Sequence, residues 1–279
     1  MSMACTANPS LPVGKLEELA REIRGECLTL AHQSGEGHLS SSLCQIELLT
    51  ALYFAFMNLS GTQEQRDRFI LSKGHGCLSW YVALAKHGDI PAEWLSSYAR
   101  EGSPLPNHPC KHSLPVSITS AGSLGQGLGI ATGILYGLRL KRELEPRCVV
   151  LMGDGECNEG SVWESAMFAA AQKLDNLLAI VDNNGIQAVG KSDEIMGHTD
   201  LSEKFRAFGW DAVTIDGNSI PQILETLTRF PFTKGKPSAI IARTRTMVPF
   251  MDGKVLWHYR VPSAEELETA LQDLQPSLP

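Results

Sequence analysis

The sequence predicts an α/β fold, a mainly parallel sheet flanked by helices. Three observations carry that prediction. The β-rich runs CVVLMG (148–153), LLAIVD (177–182), AVTID (212–216) and SAIIART (238–244) recur through the second half of the chain. Segments with apolar residues at helical spacing separate several of them, and strands alternating with helices require a parallel sheet covered on both faces. The 279 residues are 43% hydrophobic, enough apolar material for a sizeable core.

The elements follow in chain order. Residues 1–14 form a loose start, after which KLEELAREIRGECLTLAHQ (15–33) has apolar residues at helical spacing. SGEGHLSSS breaks the pattern as a Gly/Ser-rich loop. LCQIELLTALYFAFM (43–57) is apolar nearly all round, which predicts a buried helix. RFILSKGHGCLSWYVALAKHG reads as a short strand, a glycine turn holding His75, and a helix. Gly, Pro, Ser and His dominate 101–129, a long loop system ending in GSLGQGLG. SVWESAMFAAAQKL (161–174) has helical spacing, and a further helix is expected at 221–230. SAEELETALQDL opens on Ser263-x-x-Glu266, a capping-box signature for a last helix. No repeat or linker interrupts the chain, so one domain over 1–279 is expected.

Composition narrows the partners. Lys and Arg number 24 against 31 Asp and Glu, a net charge of −7, and no basic block offers a nucleic-acid surface. No apolar run is expected to span a bilayer, and MSMACTANPSLPVG lacks the basic and apolar regions of a signal peptide. Seven cysteines (Cys5, Cys27, Cys44, Cys77, Cys110, Cys148 and Cys157) show no CxxC or zinc spacing and are expected as reduced thiols. A soluble cytoplasmic protein without nucleic-acid or membrane partners is the expectation.

The chemistry lies at two strand ends. GDG (153–155) and DNNG (182–185) each follow a β-rich run, and open parallel sheets collect ligands at the carboxyl ends of their strands. If the two strands are parallel neighbours, Asp154 and Asn184 stand side by side. A carboxylate at the end of a buried strand is costly unless something neutralises it. A carboxylate and an amide oxygen are hard ligands for Mg²⁺ or Ca²⁺, and Mg²⁺ commonly completes its shell with phosphate and water. The helix start at Glu159–Gly160–Ser161 adds backbone N–H groups that favour an anion. GDG alone is a common turn. Gly153-x-Gly155 also matches the dinucleotide fingerprint only in part, because the third glycine is displaced to Gly160. GDG paired with NN across one strand–helix–strand unit is far more specific.

That pair resembles the thiamine-diphosphate motif, which begins GDG and ends NN. SGEGHLSSSL, DRFILSKGHG, NHP, TSAGSLGQGLGIATG, GDGECNEGSVWESAMFAAAQKLDNLLAIVDNNG, FGWDAVTIDG and WH follow in the order seen in transketolases. The resemblance runs from about residue 15 to about residue 265. It implies the diphosphate-binding type of thiamine-diphosphate (ThDP) fold, and transfer of a two-carbon ketol unit from a ketose to an aldose. It also implies ThDP and Mg²⁺ as cofactors, although oxygen ligands serve Ca²⁺ and Mn²⁺ too. Carried over position by position, Asp154, Asn184 and the backbone carbonyl of Ile186 become metal ligands, and Gly155 sits against the diphosphate. Gly122 and Leu124 border the cofactor rings. His75 and His258 contact the diphosphate, while His38 and His108 reach substrate hydroxyls and relay protons; His258 counts with those two among the catalytic residues. His32, His87, His112 and His198 are read as ordinary surface or core histidines. Lys73 is open between a charge near the site and an exposed salt bridge, and Asp182 is left unassigned.

Full-length transketolases carry two further domains, one of which supplies the glutamate that protonates the pyrimidine ring and the aromatic residue that stacks on it. This chain stops at Pro279. The resemblance therefore implies the N-terminal subunit of a split transketolase, active only with a partner subunit carrying that glutamate. It also implies a heterotetramer of two chains of each kind. Ser40–Ser41–Ser42 replaces a usually glycine-rich loop, and RTMVPFMDGK replaces a basic glycine-containing turn. Both departures imply a modified or unusual ketose. Two alternatives stay open, the α-subunit of a 2-oxo acid decarboxylase and a non-catalytic relative. His38, His108 and GSLGQGLG favour transketolase, because a ketol has hydroxyls to grip.

Overall fold

A computed structural model describes residues 11–62, 65–142 and 146–275; Cys5 and the first ten positions lie outside it. Helix α1 (Val13–Ser34) ends on Gly35, whose φ of 73° is the left-handed conformation glycine adopts without strain. α2 (Leu39–Leu43) and α3 (Ile46–Ala51) follow, and α3 continues into a π-helical turn at Leu52–Phe56. β1 (Arg68–Leu71) leads through the His75 turn into α4 (Cys77–His87). Next come α5 (Gly127–Leu140), β2 (Cys148–Gly153), α6 (Gly160–Ala171) and β3 (Leu177–Asn183). A small hairpin of β4 (Ile186–Gln187) and β5 (Gly190–Lys191) precedes α7 (Ser192–Met196) and α8 (Leu201–Ala207). β6 (Asp211–Asp216), α9 (Ile220–Thr228), β7 (Ser238–Arg243) and α10 (Ala264–Asp273) complete the chain.

The main sheet has the order β1-β2-β3-β7-β6, and all four strand pairings in it are parallel. Strand side chains alternate between its faces. Val149 and Leu151 join α1, α3, α4 and α9 in one apolar core, while Cys148, Val150 and Met152 join α5, α6 and α8 in the other. Both faces are covered, as a parallel sheet requires. The six described cysteines are free thiols. The capping box of α10 is formed: Ser263 Oγ accepts from Glu266 N–H at 3.2 Å, and the Glu266 carboxylate accepts from Ser263 N–H at 2.8 Å.

Three expectations need correction. Ser40, Ser41 and Ser42, read as loop, form α2 and are buried, because Leu39 and Leu43 on either side anchor that turn in the core. The loop read over 101–129 gives way to α5 at Gly127, a helix whose glycines hid its pattern. At Gly127 the glycine answers a close approach, since a Cβ there would lie 2.4 Å from that of Ser72. Third, Leu39–Phe56 is long and apolar enough by composition to cross a membrane, yet 83% of it is buried inside the protein.

Candidate active site

The register of the central strands builds the site. Gly153 of β2 pairs with Asp182 of β3, and Asp154 N–H donates to Asp182 O at 3.2 Å. Asp154 and Asn184, thirty residues apart in the chain, thereby enter the wall of one cavity of about 420 Å³. That volume suits a small-molecule ligand. All ten residues singled out from the sequence line it: His38, His75, His108, Gly122, Leu124, Asp154, Gly155, Asn184, Ile186 and His258. They come from the start of α2, the turn after β1, the loop before α5, the ends of β2 and β3, and the segment before α10.

Asp154 is 8% exposed, and its carboxylate accepts from Ser192 Oγ–H at 2.5 Å. Burial pushes its pKa up to about 6 against the partial relief of that bond. Asn184 Oδ1 accepts from Ile186 N–H at 2.9 Å, which folds the loop at Gly185 (φ 71°) and fixes the amide. Gly155 lies beneath Gln187, whose side chain a Cβ would meet at 2.9 Å. Among the described residues no group of three or more His, Cys, Asp or Glu is placed to hold a metal. A cation here would use carboxylate, amide and carbonyl oxygens. The chemistry of that set fits a hard divalent ion, and a buried carboxylate destabilised in its charged form gains from one.

Four imidazoles also line the cavity. The His38 ring lies 5.4 Å from that of His75, 5.8 Å from His108 and 5.2 Å from His258. His38 holds a left-handed backbone (φ 62°), unusual for a side chain of its size, and its N–H donates to His258 O at 2.8 Å. Among the described residues its Nδ1 is buried without a hydrogen-bond partner. Burial, with neighbouring positive groups, lowers His258 to about 4 and His75 well below 6.5. Burial also lowers His38 and His108, with Glu36 opposing. Near neutral pH these are uncharged rings, each with one donor and one acceptor nitrogen.

The structure assigns several residues that sequence reasoning left open or missed. Lys73 is not on the surface: it is 1% exposed, its Nζ pairs with Asp182, and it donates to Ser41 O at 2.9 Å. Asp182 is fully buried and also accepts from Thr244 Oγ1–H. Tyr259, 59% exposed in the cavity wall, stands with its ring 5.1 Å from His38 and 4.8 Å from His258. Glu156 also lines the cavity and is buried. Their signals were present, an acid directly after GDG and an aromatic directly after WH, but neither pattern is specific by itself.

The class follows from this frame and from comparison. A family model described as "Transketolase, thiamine diphosphate binding domain" matches residues 17–258. The chain belongs to the transketolase family of transferases and comprises its thiamine-diphosphate-binding domain. It is 38% identical over 275 residues to an apulose-4-phosphate transketolase subunit of Actinobacillus succinogenes, covering 96% of this chain and 99% of that one. It is 36% identical over 266 residues to the 6-deoxy-6-sulfo-D-fructose transketolase subunit SqwG of a Clostridium species, covering 93% and 96%. Its fold matches the crystal structure of transketolase from Campylobacter jejuni at a TM-score of 0.87 and 24% identity, across 95% of this chain and 43% of that one.

Proposed function

We propose that this chain is the N-terminal subunit of a two-subunit, ThDP- and Mg²⁺-dependent transketolase, transferring a two-carbon ketol unit from a modified ketose to an aldose. The observation that carries the reading is the meeting of Asp154, Asn184 and the four histidines in one cavity at the carboxyl rim of a parallel sheet. The relatives support it, since two of them are named as transketolase subunits for apulose 4-phosphate and for a sulfo-sugar. The whole of 1–279 is read as one diphosphate-binding domain, acting in the cytoplasm.

In this reading Asp154, Asn184 and the Ile186 carbonyl would hold the divalent cation, Mg²⁺ or in its place Ca²⁺ or Mn²⁺, which would supply positive charge beside the diphosphate. Bound there, ThDP supplies the electron sink for cleaving the ketose. The chain's own groups bind, orient and move protons. His75 and His258 donate to the diphosphate, Gly155 leaves it room, and Gly122 and Leu124 flank the rings. Uncharged His38 and His108 grip substrate hydroxyls. The partner subunit supplies the pyrimidine-binding half and its glutamate in a heterotetramer. The test is reconstitution with the partner. ThDP- and Mg²⁺-dependent ketol transfer that neither subunit shows alone supports the reading; activity of this chain alone, or CO₂ release from a 2-oxo acid without ketol transfer, overturns it.

A further inference from the structure

The cavity wall contains a carboxylate that the proposed chemistry does not use. Glu156 is 1% exposed. Its Oε1 accepts from Gly125 N–H at 2.8 Å and from the Ser72 hydroxyl, and its Oε2 accepts from Gly153 N–H at 3.2 Å. Ser72 Oγ accepts in turn from Gly127 N–H at 3.1 Å. One side chain thus ties together the residue after β1, the loop that enters α5, and the last residue of β2.

We propose that Glu156 is a positioning residue for the cofactor, holding the 122–126 loop and the end of β2 in the relative placement that the diphosphate site needs. The inference rests on the ThDP reading above and deepens it. Gly122 and Leu124 lie in the held loop, and Asp154 and Gly155 directly follow the held Gly153. The carboxylate therefore couples the residues assigned to the cofactor rings with those assigned to metal and diphosphate.

Three features separate this role from ordinary packing. Every partner is a donor, so the position requires an acceptor-only side chain; glutamine would turn its NH₂ toward an N–H or O–H. A carboxylate buried this deeply is expensive, and its three partners are all neutral. A negative charge beside an anion site also lowers affinity by charge alone, so its presence there answers a need for geometry. The glycines complete the device. A Cβ at Gly125 would lie 2.5 Å from Ser161 Oγ, and one at Gly127 2.3 Å from Ser72 Oγ, so only glycine lets the loop close onto the carboxylate.

The experiment uses Glu156→Gln and Ser72→Ala in the full chain complexed with its partner subunit, titrated with ThDP and Mg²⁺ by calorimetry. Amide hydrogen exchange at Gly125 and Gly153 is followed in the ThDP-free complex. Glu156→Gln should weaken ThDP binding at least tenfold and Ser72→Ala several-fold, with faster exchange at Gly125 in both. A merely structural role would lower the melting temperature and leave the dissociation constant alone. Affinity within twofold of wild type in both variants overturns the proposal. Should Glu156→Gln not fold, Ser72→Ala decides by the same readouts. Wild-type complex that takes up no ThDP refutes the functional reading instead; in that case unchanged exchange at Gly125 separately refutes the positioning role.

Discussion

Lys73 and Asp182 form an ion pair that spans the width of a strand: Lys73 follows β1, Asp182 belongs to β3, and β2 runs between them. The single lysine of the cavity wall is thus already neutralised. Removing one partner of a buried pair strands the other charge, at a cost of about 3–5 kcal/mol. Lys73→Met should destabilise the protein by that order, and Lys73→Met with Asp182→Leu should recover much of the loss. Chemical denaturation in a double-mutant cycle measures both, and a Lys73→Met loss below about 1 kcal/mol contradicts the account.

Asp154→Ala should separate stability from function. The buried carboxylate loses one bond to Ser192 but also sheds a charge that burial disfavours. The cofactor-free protein is therefore expected to melt within a few degrees of wild type or above it, while ThDP affinity in the presence of Mg²⁺ falls at least 100-fold. Thermal melts with and without ThDP give both numbers. On the proposed function, retained cofactor binding removes Asp154 from the proposed metal site.

The histidine wall predicts a pH dependence for the cofactor-free protein. His258, lowered to about 4 in the fold, takes up its proton in the unfolded chain near 6.5. Between those values the unfolded state binds more protons, so stability is present above pH 6.5 and is lost as pH falls toward 4. His75 and His38 act in the same direction. Asp154 acts oppositely, because its raised pKa relieves a cost as pH falls through about 6. Comparing His258→Gln with wild type isolates one contribution, roughly 1–3 kcal/mol less loss between pH 7 and pH 4. Parallel stability curves for the two proteins would rule that contribution out.

Tyr259 faces the cavity from beside the two histidines that its ring touches. On the proposed function, Tyr259→Ala should raise KM for the donor ketose about three- to tenfold in the reconstituted enzyme and leave ThDP affinity unchanged. A variant that loses both equally shows a structural role only.

The sheet and the cavity were legible in the sequence to different depths and for different reasons. β2, β3 and β7 are near-continuous apolar runs, because strands buried on both faces cannot alternate with polar residues, whereas the edge strand β6 alternates buried and more exposed positions. The residues that meet in the cavity were found through spaced motifs, whose glycines and histidines have few ordinary reasons to recur together. Burial of charge was not legible. Lys73 and Asp182 are 109 positions apart, and only the parallel register makes them partners. α2 was hidden because serine propensity argues for a turn, whereas the leucines around it are fully buried. The start of α5 was hidden because Gly127 and Gly129 answer close approaches of Ser72 and Ser165 and not a chain reversal.

The strand order carries a consequence for the chain's birth. β7 lies between β3 and β6 but is synthesised after both, so a nascent chain that has produced β6 holds two strands with unpaired edges facing an empty slot. At about 5–20 residues per second the ribosome leaves that slot open for seconds, with the apolar Leu39–Phe56 segment already extruded. That interval is when a holding chaperone has most to protect, and it closes once Ser238–Arg243 emerges and zips the sheet shut.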